Sequence, residues 1–199
     1  MSIPQQSPNL MLNVNLGDLP DFLTVKEYEE ILHKINEPTL TKGWRHKENS
    51  KLLLQVLMNF GMRVSDALIL TPSHFKFKEK VVRYHIKKTK KDHQIALSDK
   101  MALILEMYIL KNKLEAHERI FPFNRQRAHN KVVKMGMLIG KRIHQHTLRH
   151  SLVMAMLTKQ VSLPIISKYV GHSSINTTIN QYMKVSIDMQ RDALEKLDI

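Results

Sequence analysis

The chain has 199 residues, which suits one domain with a tail and is ample for a hydrophobic core. Apolar residues make up 43% and charged residues 25%, as in ordinary globular proteins, and no apolar run is long enough to predict a membrane span. The absence of cysteine excludes disulfide bonds, thiol catalysis and zinc sites with thiolate ligands, and together with a start that lacks a signal-peptide pattern it favours a cytoplasmic protein.

The charge of the chain is its first informative feature. The net charge is +13 and the sequence pI is near 9.9. Such a balance indicates a polyanionic partner, because every phosphate that a protein neutralises releases counterions. Nucleic acid is the favoured partner, while a membrane-surface protein, a ribosomal protein or a merely soluble basic protein would also explain the charge.

The predicted elements begin after residues 1–20, whose prolines among Asn and Gln indicate a flexible arm or linker. Thr24 caps a helix, VKEYEEILHKI, with Glu27 as its capping-box partner. The apolar helix NSKLLLQVLMNF follows and ends at Gly61. Ser65 is predicted to cap a second, short helix, DALIL.

A β region and several helices complete the pattern. The segments FKFKEK, VVRYHIK and HQIALS predict three antiparallel strands. Further helices are predicted over 99–114, 126–138, 147–160, 164–170, 174–182 and 188–197. The predicted fold class is therefore α+β, mainly α-helical with a small three-stranded antiparallel sheet.

Arg63 lies in GMRVSDAL, in the turn between two predicted helices. Its guanidinium has five fixed donors that match phosphate oxygens, and a rigid corner would hold them in place. The alternative is a surface arginine paired with Asp66.

The run HTLRH places His146, Arg149 and His150 on one helix face, in a first turn whose free N–H groups also favour an anion. This arrangement suits phosphoryl transfer. The alternatives are plain surface histidines or a zinc pair, since the two histidines have i, i+4 spacing. A metal-site helix normally adds a carboxylate, which this run lacks.

The segment GHSSINTTINQY places His172 directly after Gly171 and Tyr182 ten residues further on. A tyrosine hydroxyl has a pKa of ~10 and needs cationic neighbours or a base to act as a nucleophile. The alternatives are a half-buried core tyrosine, or a helix-turn-helix with Gly171 in the turn and its second helix in a major groove.

Lysines cluster at the turn between the second and third strands, at Lys87, Lys88, Lys90 and Lys91. The period of two puts Val82, Tyr84 and Ile86 on one face, which Lys88 shares if the strand continues. Lys88 is thus best placed to reach a site and donate a proton to a leaving oxygen. The alternative is a solvated hairpin that touches the DNA backbone.

In this order and spacing, GMRVSDAL, IKKTKK, HTLRHS and VGHSS-TT-Y resemble the motifs of the tyrosine recombinase (lambda-type phage integrase) family. The resemblance implies a catalytic domain over 21–185, preceded by the arm and followed by a C-terminal helix over 186–199. That helix would dock on a neighbouring subunit or pack on its own domain. The resemblance also implies a tetramer on double-stranded DNA, with a monomer as the free form, and chemistry that needs neither a metal nor ATP.

The resemblance implies a role for each candidate at the phosphate. Arg63 and Arg149 would bind the scissile phosphate and stabilise its pentavalent transition state. Asp66 would orient Arg63. His172 would donate a hydrogen bond to the same phosphate, and His146 would be the histidine of the second motif.

Three further residues complete the implied site. Tyr182 would attack the phosphorus and form a 3′-phosphotyrosyl link, at a spacing from the third motif that is one residue longer than the family usually shows. Lys88 would be the general acid for the 5′ oxygen, with Lys87 or Lys90 taking that role if the register shifts by one. His150 would support the site from the same helix as Arg149.

Three other functions remain open on the sequence alone. A regulator with a helix-turn-helix explains the charge and the last motif but not Arg63, Lys88 and HTLRH. A histidine-metal hydrolase lacks acidic ligands. Type IB topoisomerases share the chemistry, but GHSS-TT-Y looks more like the recombinases.

Overall fold

The fold is described from a computed structural model over residues 21–44, 46–86, 88–172 and 176. Its helices in this part of the chain are Val25–Asn36 (α1), Lys47–Phe60 (α2), Val64–Ala67 (α3), Asp99–Lys111 (α4), Arg125–Gly136 (α5), Gln145–Thr158 (α6) and Leu163–Val170 (α7). Its strands are Phe75–Lys76 (β1), Val81–Ile86 (β2) and Lys91–Ala96 (β3). None of these helices has the length and apolar character needed to cross a membrane.

The first two helices form as predicted and build the centre of the core. Thr24 caps α1, and its hydroxyl accepts from the N–H of Glu27 while the Glu27 carboxylate accepts from the N–H of Thr24, at 3.2 and 2.8 Å. α2 is buried on almost every side and ends at Gly61, whose φ of 58° is left-handed. A Cβ at Gly61 would lie 2.7 Å from Leu152 and 3.0 Å from Val170, so α6 and α7 pack directly on this helix end.

The short helix α3 begins earlier than the sequence predicted. Ser65 is not its cap, because the N–H groups of Asp66 and Ala67 both donate to the carbonyl of Arg63, at 2.9 and 3.0 Å. Arg63 is therefore the cap residue, and α3 ends after Ala67. The carbonyl of Arg63 thus accepts the first hydrogen bonds of α3, and these bonds hold the Arg63 backbone in place.

The sheet has the order β1-β2-β3, with both pairs antiparallel. Val82, Tyr84 and Ile86 are buried, which confirms the predicted core-facing side of β2. β1 is shorter than predicted: it covers two residues of FKFKEK, and a turn follows in which Lys80 has a left-handed φ of 52°.

The C-terminal helices α6 and α7 hold the remaining predicted positions. α6 begins two residues earlier than predicted, because the His144 ring accepts from the N–H of Thr147 at 3.2 Å and so caps it. α7 follows the predicted range and ends at Gly171, whose φ is 72°. The arm, the C-terminal helix and Tyr182 lie outside the described residues, and of the predicted helix 174–182 only Asn176, which is helical, is described.

One polar contact ties the entry of the chain into the domain to α6. The buried N–H of Leu23 donates to Ser151 Oγ at 2.7 Å, and that hydroxyl donates to the carbonyl of Thr147 at 2.7 Å. Leu23 and Ser151 are each 1% exposed. The start of the described chain is therefore anchored on the helix that carries HTLRH.

Candidate active site

Two arginines from distant parts of the sequence meet where α2 ends. Arg149, in the second turn of α6, is 7% exposed, and its Nη1 donates to the carbonyl of Gly61 at 2.6 Å. Arg63 follows Gly61 by two residues and caps α3. The predicted pair therefore converges on one corner, and the carbonyl of Gly61 fixes the plane of one guanidinium.

Asp66 lies beneath Arg63. Its side chain is 2% exposed, that of Arg63 is 23% exposed, and Arg63 Nη1 lies 3.9 Å from Asp66 Oδ2. This distance is long for a hydrogen bond but within the range of an ion pair. A buried carboxylate next to a partly exposed guanidinium suits the orienting role predicted for Asp66.

The three candidate histidines lie within the electrostatic reach of these arginines. His172 is half-buried, and burial first, then the charges of Arg149 and Arg63, lowers its pKa to about 4. Burial, followed by His146 and Arg149, lowers the pKa of half-buried His150 to about 4 as well. The pKa of the more exposed His146 is lowered by burial and then by neighbouring His144 and Arg149. The histidines are therefore neutral near pH 7.

These pKa shifts predict an acid-sensitive fold. Unfolded histidines take up protons below about pH 6.5, whereas native His150 and His172 take them up only near pH 4, so the unfolded state binds more protons in between. The free energy of unfolding is expected to fall as the pH drops from about 6.5 to about 4. After allowance for partial exposure, we expect about 1 kcal/mol from each histidine between pH 7 and pH 5.

Urea unfolding at several pH values measures this effect, with the double variant His150→Gln, His172→Gln as comparison. The variant should lose less stability than the native chain between pH 7 and pH 5. Parallel pH profiles for the two proteins would contradict the assignment of the acid sensitivity to these histidines.

Lys88 lies at the edge of this corner. It follows β2 in the turn to β3, and its side chain is exposed. The hairpin and the residues after α7 share a surface cavity of about 460 Å³, lined among others by Thr89, Lys91 and His172. The turn that carries Lys88 therefore borders the cavity beside His172, while Lys87 lies outside the described residues.

The sequence reasoning missed Tyr84 as a neighbour of the site. Its side chain is 4% exposed, and its pKa is raised by burial and by Asp66, while Arg149 and Arg63 act in the opposite direction. Tyr84 therefore lies within electrostatic range of Asp66, Arg149 and Arg63. The alternation of β2 put Tyr84 on the core face, but nothing in the sequence pointed that face at Arg63.

A second missed residue is Arg125, the first residue of α5. It is exposed, and its charge contributes to the lowered pKa of His146, so the start of α5 lies within electrostatic range of that histidine. Within the described ranges, no group of three or more His, Cys, Asp or Glu side chains is arranged to hold a metal ion.

Comparison with known proteins gives the same family from a family model and from individual relatives. A family model described as "Phage integrase family" matches residues 21–188. The chain is 29% identical over 188 residues to a "Tyrosine recombinase" of Thermosipho africanus, covering 90% of this chain and 62% of that protein. It is 30% identical over 186 residues to a "Tyrosine recombinase" of Pseudothermotoga lettingae, covering 90% and 61%. The chain thus spans about three fifths of the length of these relatives.

Solved structures share the fold. A crystal structure of XerA recombinase matches with a TM-score of 0.70 at 18% identity, over 88% of this chain and 65% of that one. The catalytic domain of bacteriophage HP1 integrase matches with a TM-score of 0.58 at 20% identity, over 82% and 88%. XerH recombinase bound to its difH substrate matches with a TM-score of 0.64 at 21% identity, over 84% and 51%. These likenesses confirm the predicted fold class.

Proposed function

The chain belongs to the phage integrase family, and we propose that it cleaves and rejoins DNA as a site-specific tyrosine recombinase. One observation carries the proposal: Arg63 and Arg149, 86 positions apart in the sequence, both lie beside the end of α2, and the charges of both act on His172. A phosphodiester under attack passes through a pentavalent, doubly negative transition state. Two guanidiniums at one corner supply the fixed donors that such a charge requires.

Preorganisation is the physical basis of this catalysis. Arg149 is buried and its Nη1 is held by the carbonyl of Gly61, so its guanidinium does not need to reorient when the charge develops. Arg63 stands on a capped helix start above the Asp66 carboxylate. Neutral His172 adds an N–H donor for a phosphate oxygen without a further positive charge.

The covalent step is assigned to Tyr182 and Lys88. The phenolic oxygen of Tyr182 attacks phosphorus, the bond from phosphorus to the 5′ oxygen breaks, and Lys88 gives that oxygen a proton. His146, whose pKa is lowered and whose side chain is exposed, accepts the phenolic proton. The 3′-phosphotyrosyl link conserves the bond energy, so attack by a 5′ hydroxyl rejoins the strand without ATP.

The partner of this chemistry is double-stranded DNA. The net charge of +13 favours a polyanion, and exposed Arg125 and Arg127 at the start of α5 extend the basic surface beyond the arginine pair. A tetramer on two duplexes, with the segment 186–199 docked on the neighbouring subunit, is the assembly that the family resemblance supports. The free chain is proposed to be a monomer.

Covalent capture tests the proposed function. The native chain is incubated with a pool of nicked duplexes whose central sequences are randomised, in EDTA and without ATP, and the products are separated under denaturing conditions. The nick releases the short strand after cleavage and traps the adduct. We expect protein-linked DNA whose sequence becomes enriched over successive rounds. Sequence-specific binding without any adduct would overturn the proposal and favour a regulator.

A further inference from the structure

The β2–β3 hairpin contacts the last turn of α7 through two hydrogen bonds, and the one nearer the tip of the hairpin is made by the imidazole of His93. We propose that His93 is a positioning residue that holds the turn carrying Lys88 against the helix end that precedes His172. The inference rests on the proposed function, because Lys88 and His172 are both residues of the proposed active site. In this proposal His93 acts by holding the turn in place and not by contact with the reacting atoms.

His93 makes a hydrogen bond to a backbone carbonyl in the last turn of α7 that has no partner within the helix. His93 Nε2 lies 2.9 Å from the carbonyl oxygen of Tyr169, in the last turn of α7. Since that oxygen can only accept, the proton must lie on Nε2. The N–H of Gly171 and that of His172 bond to the carbonyls of Lys168 and Ser167, at 3.2 and 3.0 Å. His93 therefore completes the cap from outside the helix.

Close packing reinforces this hydrogen bond. Gly171 has a left-handed φ of 72°, and a Cβ at this position would lie 3.0 Å from Ile86 Cδ1 and 3.3 Å from His93 Nε2. Both strands of the hairpin thus touch the turn that leads to His172. The ring of Tyr84 meets the His93 ring edge to face, with centroids 5.4 Å apart, and fixes its orientation.

α7 has more contacts with the rest of the domain than the tip of the β2–β3 hairpin has. α7 is held without the hairpin tip. The Tyr169 hydroxyl lies within hydrogen-bond distance of the carbonyls of Asn59, in α2, and Ala96, at the far end of β3, at 3.0 and 3.3 Å. Ile166 and Val170 are fully buried. At the hairpin tip, Lys91 and Asp92 are exposed. Loss of the His93 N–H should therefore loosen the turn and leave α7 in place.

A looser turn has a specific chemical consequence. Lys88 lies two residues beyond Ile86, and its proton must reach the leaving oxygen within hydrogen-bond distance. Misplacing a reacting group by about 1 Å can cost about a hundredfold in rate. The expected defect is in protonation of the leaving group, with DNA binding retained.

The variant His93→Phe tests this positioning role, because it keeps an aromatic ring beside Tyr84 and removes the N–H donor. On the captured DNA sequence we expect adduct formation to slow about tenfold to a hundredfold, with unchanged DNA affinity. The matched control is His85→Phe, on the exposed side of the same hairpin, where the imidazole pairs with Asp92. The control should react at the native rate.

A substrate with sulfur in place of the bridging 5′ oxygen separates positioning from general damage. A thiolate leaves without a proton, so this substrate should restore His93→Phe to the native rate, as it should restore Lys88→Ala. A defect that persists on the sulfur substrate, or a native rate for His93→Phe on ordinary DNA, would overturn the proposal.

Amide hydrogen exchange gives a readout that does not require catalysis. The N–H of Lys90 donates to the carbonyl of Ile86 at 2.9 Å within the turn, and that of His172 reports on the end of α7. We expect faster exchange at Lys90 in His93→Phe and unchanged exchange at His172. Unchanged exchange at Lys90 would refute the positioning role of His93, whatever the result of the capture experiment. Failure of the native chain to form an adduct would refute the proposed function and is a separate result.

Discussion

Tyr182→Phe is expected to abolish covalent capture of DNA completely. The substitution removes one oxygen atom, the one that would bond to phosphorus, and phenylalanine offers no replacement nucleophile. The donors that we propose to bind the phosphate stay, so DNA affinity should change little. Gel separation under denaturing conditions measures the adduct, and a mobility shift under native conditions measures binding.

A matched tyrosine distinguishes chemistry from packing. Tyr108 lies in α4, and its hydroxyl accepts from Asn49 Nδ2 at 2.7 Å. Tyr108→Phe should lower the free energy of unfolding by about 1 kcal/mol and leave capture intact. An adduct that survives in Tyr182→Phe would show that another residue is the nucleophile. That result would leave the arginine corner unaffected as a phosphate site.

Arg149→Ala is expected to produce the next largest loss. Removing one preorganised donor to the transition state should cost on the order of 3 kcal/mol, or more than ~100-fold in the rate of adduct formation. The change also leaves the Gly61 carbonyl without its buried donor, which should lower the free energy of unfolding by about 1–3 kcal/mol. Rates are therefore compared at a temperature where urea titration shows the variant folded.

Two further variants make the arginine prediction specific. Arg149→Lys keeps the charge but loses the planar fork, so it should recover only a small part of the rate. Arg83→Ala removes an exposed arginine that pairs with Glu79 and Gln94 on the sheet, and should leave the rate unchanged. A native rate in Arg149→Ala would exclude this residue from the transition state.

Local signals in the sequence predicted most of the fold. Thr24 and Glu27 fixed the start of α1, Gly61 and Gly171 marked two helix ends, and alternation identified the buried face of β2. Each of these depends on residues a few positions apart. The starts of α3 and α6 were wrong because Arg63 and His144, which are unusual caps, act there in place of the expected residues.

The assembly of the site was less accessible to sequence reasoning. The hydrogen bond from Arg149 to Gly61 spans 88 positions, and that from His93 to Tyr169 spans 76. Contacts between residues so far apart produce no repeating pattern in the sequence. The prediction that the two arginines share one site therefore came from a family resemblance. Tyr84 and His93 belong to no quoted motif, and their positions beside the site follow only from how the sheet packs on α7.

The hydrogen bond between Leu23 and Ser151 gives the domain a mechanical property. The chain enters the described domain at a point fastened to α6, two residues after Arg149. A pull on whatever precedes Asp21 would be transmitted to that helix before it reached the sheet or α4. The hydrogen bond between Leu23 and Ser151 is buried, so water cannot compete for its donor or its acceptor. A pull on the segment before Asp21 would thus load the helix that carries Arg149.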